Sequence, residues 1–213
     1  LLRVGIKNHT NGALNEKAQF NQTIKDVMLG KQRKAEQKGL PVPQWEDEIA
    51  FLKDPKSNPM IAWPLRLFDC SPVSDGAAAV LLVSEEMAEK FTDQPIYVVG
   101  SGQASDGALA ERTSLSEIPA AEKASKRAYE MAGLTPEDID FAEVHDCFTI
   151  AEIMATEDLG FFARGEGWKA AMDGRTARDG SHPVNTSGGL QSKGHPVEAK
   201  LPGAYSRPVE IPM

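Results

Sequence analysis

Apolar and polar positions change their period several times along this chain, and each change marks an element. Ala77-Ala-Ala-Val-Leu-Leu-Val83 is an unbroken apolar run between Asp75-Gly76 and Ser84-Glu85-Glu86, the pattern of a short strand buried on both faces. Pro95-Ile-Tyr-Val-Val-Gly100 reads as the next strand. From Ser116 to Gly133 the period becomes helical: Ile118, Ala121, Ala124, Ala128, Tyr129 and Ala132 fall on one face and Gly133 closes it. Leu134 to Ile139 gives one further turn. Asp140-Phe-Ala-Glu-Val then reads as a strand running into a helix from Thr149 to Leu159, with Ile150, Ile153, Met154 and Ala155 inward and Gly160 as its stop. Gly165 to Gly174 predicts a short surface helix bounded by glycine. Strand alternating with helix twice over predicts βαβ units, and so an α/β fold with a mainly parallel sheet. Its strands are expected near 77–83, 96–100 and 141–144, with the helix at 117–132 packed on one face.

Before Pro64 the chain is polar and shows no sustained alternation, so short helices in an irregular excursion are expected there. Thr23 is placed to cap a helix starting at Ile24, and Lys31 to Lys38 reads as a solvated helical turn ended by Gly39 and Pro41. Pro41, Pro43, Pro55, Pro59 and Pro64 break the chain repeatedly. Ser84 is an N-cap for Glu85 to Phe91. Gly100-Ser-Gly102-Gln-Ala-Ser105 is one glycine short of a dinucleotide fingerprint and no helical pattern follows at once, which argues against nicotinamide binding.

The composition of these 213 residues, 41% hydrophobic and 25% charged, is that of one or two globular domains. A net charge of -8 would repel nucleic acid and anionic membrane surfaces, so neither is an expected partner. The longest apolar run, Ala77 to Val83, is too short to span a bilayer, and no secretory leader is visible; a cytoplasmic location is expected. The two cysteines form no Cys-x-x-Cys pair and are expected as free thiols rather than as a disulfide or zinc site. Leu rather than Met stands first, so the chain reads as a fragment.

Chemistry-bearing residues concentrate between Asp140 and Pro196. His145 and Cys147 stand where the strand passes into the helix, and His195 follows a glycine-rich stretch, Val184-Asn185-Thr-Ser-Gly188-Gly189. In an α/β sheet ligands sit at the carboxyl ends of strands, where both histidines are expected to converge. Taken singly, each residue has a plainer reading. A lone His after an apolar strand is more often structural, a free Cys behaves as a small buried hydrophobe, and the glycines fit a tight turn. Cys70 is read as structural. His9 and His182 lie in polar stretches without a partner pattern and stay unassigned.

Taken together, His145-Asp-Cys-Phe148, Val184-Asn-Thr-Ser-Gly-Gly189, Gly194-His-Pro196 and Asp69-Cys-Ser-Pro-Val-Ser-Asp-Gly-Ala-Ala-Ala79 resemble the thiolase superfamily, in particular its sterol-carrier-protein type. The resemblance runs from about Arg3 to Val197. It implies an acyl-CoA acyltransferase that cleaves a 3-ketoacyl-CoA or condenses two acyl-CoAs, with coenzyme A as substrate and no covalently bound cofactor or metal. By the same resemblance His195 activates the nucleophile and donates to the thioester oxygen. His145 completes that oxyanion site through a water, Cys147 moves the α-proton, and Asn185, Gly188 and Gly189 line the thioester pocket. The cluster Lys31, Arg33, Lys34 and Lys38 would meet a nucleotide phosphate, the plainer reading being a solvated charged face.

The implied organisation is a mostly helical loop region over 1–68, the last strand and helix of the family's first half over 69–93, and a truncated C-terminal domain over 94–213. Implied partners are a second copy of the chain, or a larger assembly, and a small zinc-containing subunit. The family's nucleophilic cysteine lies in a motif that neither Cys70 nor Cys147 occupies, so the chain is expected to be inactive alone. Two further readings stay open: an aldol lyase of the same fold acting on a coenzyme A thioester, and a non-catalytic subunit. The segment after Val197 departs from the family, because Pro202, Pro208 and Pro212 oppose the helix expected there.

Overall fold

The computed structural model describes residues 1–112 and 114–196. The proline-rich tail and Val197 lie outside the described residues.

The chain opens with α1 (Leu2–Gly12), a helix whose bounds sequence reading missed; its inward face carries Asn8, His9 and Asn11 beside Val4. Leu2 and Ile6 pack against the core while polar residues share the buried side, so the apolar stripe is short. The expected helix at Ile24 is α2 (Ile24–Gln37), and it includes the Lys31–Lys38 stretch as far as Gln37. Thr23 accepts from the Asp26 N–H while the Asp26 carboxylate accepts from the Thr23 N–H, a reciprocal cap. Asp47 caps α3 (Glu48–Lys53) in the simpler way. Ile24, Met28, Phe51 and Leu52 close into one core cluster, against which Leu2, Ile6, Trp45 and Phe68 pack.

A two-stranded antiparallel hairpin follows, β1 (Met60–Ala62) and β2 (Leu65–Arg66), pairing Met60 with Arg66 and Ala62 with Leu65 across a cis Trp63-Pro64 bond. It is the only sheet among the described residues, and the mainly parallel sheet expected from the sequence is not formed there. Residues 77–83 and 96–100 enter no ladder. Instead of being buried on both faces, Val80, Leu81 and Leu82 are 63%, 69% and 76% exposed, and Ile96, Tyr97, Val98 and Val99 are exposed as well. An apolar run becomes a strand only when neighbours take its backbone N–H and C=O groups. The 141–144 stretch contributes one pair, Ala142 beside Val184 in parallel.

Helix α4 is shorter than expected (Glu85–Ala88). The long helix is α5 (Pro119–Ala132), with proline in its first turn and Gly133 in the left-handed region at φ 67°. Gly100 and Gly102 run against it so closely that a Cβ would strike the carbonyl oxygens of Ala128 and Ala124. Helix packing therefore explains these two glycines. Next come α6 (Thr149–Asp158), α7 (Gly167–Met172) and α8 (Gly189–Lys193). Helix α6 differs from expectation in what it buries: Thr149, Glu152, Ile153, Thr156 and Asp158 point inward, while Ile150 is exposed. Helix α7 buries Ala170 in a second core cluster with Ala142, Phe161, Phe162 and Val184.

Candidate functional site

The segment 70–73 acts as a rail for the residues singled out from the sequence. Cys70 pairs antiparallel with Phe148, and the Ser71 N–H donates to the Cys147 carbonyl at 2.9 Å. Three residues on, Val73 pairs in parallel with His195, whose N–H donates to the Pro72 carbonyl at 3.1 Å. One extended strip thus carries the His145–Cys147 stretch and the Gly194–His195 turn side by side. The imidazole rings of His145 and His195 meet edge to face, with centroids 5.1 Å apart and planes at 87°. His145 is exposed, and His195 and Cys147 are half-buried, so the pair faces the surface. Imidazoles can donate N–H groups and exchange protons with a bound ligand.

Behind the histidines lies a buried polar junction. Asp146 and Glu152 are almost wholly enclosed, and the Asn8 Nδ2 donates to both, at 2.9 Å to Asp146 and 2.8 Å to Glu152. The Asn185 Nδ2 donates to the same Glu152 oxygen at 2.8 Å, and the Lys7 ammonium sits 2.8 Å from the other. Asp146 also accepts the backbone N–H of Leu190 at 2.7 Å and of Gln191 at 3.4 Å. One cation faces two buried carboxylates. Burial, and then the Glu152 charge, push Asp146 up to about 7. The junction ties α1, α6, α8 and the Ala142–Asn185 backbone into one block.

The geometry changes several roles. Asn185, at φ 55°, is fully buried; its Oδ1 accepts the Val144 N–H at 2.8 Å and its Nδ2 is held by Glu152. Both ends of the amide are engaged, so it holds the loop in place. Gly188 is required by packing, because a Cβ would lie 2.6 Å from the Gly12 Cα at φ 103°. A Cβ on Gly189 would lie 2.7 Å from the Asp146 carboxyl carbon. Cys70 Sγ donates to the Arg66 carbonyl at 3.3 Å, and burial pushes its thiol up from the usual range.

His9 is not in a loop: it is buried on α1 between Phe20 and Phe68, and burial lowers it to about 4. His182 packs against Phe161 and Phe162. In the basic cluster, Lys31 is committed to the Ser57 carbonyl and the Phe51 face, while Arg33, Lys34 and Lys38 are exposed. Among the described residues no three His, Cys, Asp or Glu side chains gather as metal ligands, and no helix is long and apolar enough to cross a membrane.

Lys7, Asn8, Asp146 and Glu152 escaped sequence reading. The available signal was a carboxylate, Glu152, in an otherwise apolar stretch of α6; a buried charge of that kind demands partners.

Residues 101–204 match the family model described as thiolase C-terminal domain-like. The chain is 45% identical to the acetyl-CoA acetyltransferase of Methanothermobacter thermautotrophicus over 93% of its own length and 45% of that protein's. It is 33% identical to sterol carrier protein 2 of Rattus norvegicus over 75% of its own length and 30% of that protein's. Among solved structures, the Ltp2-ChsH2(DUF35) aldolase superposes with a TM-score of 0.68 at 27% identity, covering 91% of this chain and 46% of that one. The chain spans less than half the length of these relatives.

Proposed function

Since the chain belongs to the thiolase superfamily, we propose that it carries the proton-transfer part of an acyl-CoA acyltransferase site, with His145, Cys147 and His195 as its acid–base set. One observation carries this reading: the two imidazoles stand 5.1 Å apart on the rail that also carries Cys147. The reaction forms an enolate from an acyl-CoA, and its negative oxygen needs donors already in place, each contributing on the order of 10²- to 10³-fold in rate. His145 and His195 are the candidates for those donors. Cys147, at the end of the same strip, is the candidate for moving the α-proton. Residues 94–213 would form the C-terminal catalytic unit, entered from the loop region 1–68 through 69–93.

Covalent acyl transfer also needs a thiol within reach of a base. Cys70 has its thiol raised by burial and turned toward the Arg66 carbonyl, and Cys147 is assigned to proton transfer. On this reading the chain alone does not carry the acyl group. Incubation with acetoacetyl-CoA and free coenzyme A, followed by intact-mass measurement, should show neither turnover nor a stable acetyl adduct. A stoichiometric adduct on Cys70 or Cys147 with steady thiolysis would assign the nucleophile within this chain and overturn the division of labour.

The structural likeness to an aldolase supports a second reading, cleavage of an aldol-type coenzyme A thioester. That chemistry needs an oxyanion site and a base but no acylated cysteine. Release of an aldehyde or ketone from a 3-hydroxyacyl-CoA with no acyl adduct on the protein would favour it. The name of the same relative joins two components, which makes a partner subunit the assembly to look for.

A further inference from the structure

Helix α8, which delivers Gly194 and His195, has no cap of its own. Its N-cap residue, Gly188, lacks a side chain, and its first turn contains no acidic residue. The missing acceptor is Asp146, 44 residues earlier in sequence, whose Oδ1 takes the Leu190 N–H at 2.7 Å and whose Oδ2 faces the Gln191 N–H at 3.4 Å. Asp146 lies directly between His145 and Cys147 in the chain. A displacement of its carboxylate is therefore carried to His145 through one peptide unit and to His195 through the five residues of α8. Glycine at 189, with φ 59°, lets the helix start come down onto this carboxylate, since a Cβ would lie 2.7 Å from its carboxyl carbon. The Asn8 amide, itself shared with Glu152, holds Oδ2 from the opposite side. The rest of α8 is tied elsewhere: Gln191 to the Asp69 carbonyl, Ser192 to the Phe20 carbonyl and Lys193 to Glu143. Asp146 links the start of the helix to the residue next to His145, and the Lys193–Glu143 ion pair links its end to a residue two before His145.

We propose that Asp146 is a positioning residue, a long-range cap that sets α8 so that His195 meets His145. The proposal rests on the reading of these two histidines as one site, and it concerns their geometry and not their chemistry. It is distinct from mere stabilisation, because an equally enclosed carboxylate, Asp158, serves the Ile118 N–H and Arg164 without any bond to α8.

The test uses the whole chain with histidines and backbone amides isotopically labelled for NMR. Wild type should show a ring-to-ring NOE between His145 and His195 and a slowly exchanging Leu190 amide. Asp146→Ala should abolish the NOE and speed Leu190 exchange by about tenfold or more, because the amide loses its acceptor. Asp146→Asn, which keeps one acceptor oxygen, should restore the NOE. Gly189→Ala, which drives a methyl into the carboxylate, should reproduce the loss. Asp158→Asn should lower stability and leave the NOE intact. An unchanged NOE and unchanged Leu190 protection in folded Asp146→Ala would overturn the proposal. If that variant does not fold, an unchanged NOE in Gly189→Ala overturns it equally. None of these readouts depends on turnover, so failure of the acyltransferase reading and failure of the positioning role are told apart.

Discussion

Two regions of this molecule reverse the usual placing of polar and apolar groups. At the junction behind His145 and His195, Lys7, Asn8, Asp146, Glu152 and Asn185 lie inside. In 77–83 and 96–99, Val80, Leu81, Leu82, Ile96 and Val98 lie outside. Polar groups tolerate burial when they find directed partners, and α1, α6 and α8 supply most of them here, the Asn8 Oδ1 being left without a hydrogen bond. Apolar strands need a neighbouring strand and a covering layer, and the described residues supply neither. Burial is thus decided by the availability of the right partner and not by hydrophobicity alone.

The largest expected effect comes from breaking the polar region. Glu152→Ala removes the ion-pair partner of Lys7 and the acceptor shared by Asn8 and Asn185. Loss of one member of a buried charge cluster costs about 3–5 kcal/mol. Urea unfolding followed by circular dichroism should show that drop, and a change below about 1 kcal/mol would mean the junction is far wetter than its burial indicates.

A second test uses pH. Between about 3.8 and 7 the folded chain keeps a proton on Asp146 that the unfolded chain has lost, so this group makes stability fall as pH rises through that window. Between about 4 and 6.5 the unfolded chain protonates His9 while the folded chain does not, so His9 makes stability rise with pH. The two slopes, each at most about 1.4 kcal/mol per pH unit, oppose each other. Asp146→Asn should expose the His9 rise relative to wild type, and His9→Gln should expose the Asp146 fall. Parallel profiles in all three proteins would remove both groups from the account.

The smallest expected effect on stability lies in the apolar region. Leu82→Lys changes a side chain that is 76% exposed and should alter unfolding by no more than about 0.5 kcal/mol. The same substitution should reduce concentration-dependent self-association in sedimentation velocity, since unpaired apolar strand segments template association. Equal association in both proteins would show that this surface is not what holds copies together.

The local grammar of the chain was readable without coordinates. Thr23 announced α2, Gly133 ended α5 and Gly160 ended α6, because caps and left-handed glycines act within four or five residues. The neighbourhood of His145, Cys147 and His195 was legible through its motifs, although the motifs did not say what held it. The motifs also did not show that Asn185 is held by Glu152 or that Gly188 packs against the Gly12 backbone. Helix α1 falls in the stretch expected to be helical, but its bounds were not legible because amide and imidazole groups share its buried face with Val4.

What the sequence by itself determined, then, are the elements whose signals are short-ranged and the residue types able to carry acid–base chemistry. Only the tertiary structure decided which polar side chains would be buried, which apolar runs would be left without partners, and that Asp146 would cap a helix 44 residues away. A hydrogen bond across such a separation depends on where several elements meet, and no local pattern encodes that meeting.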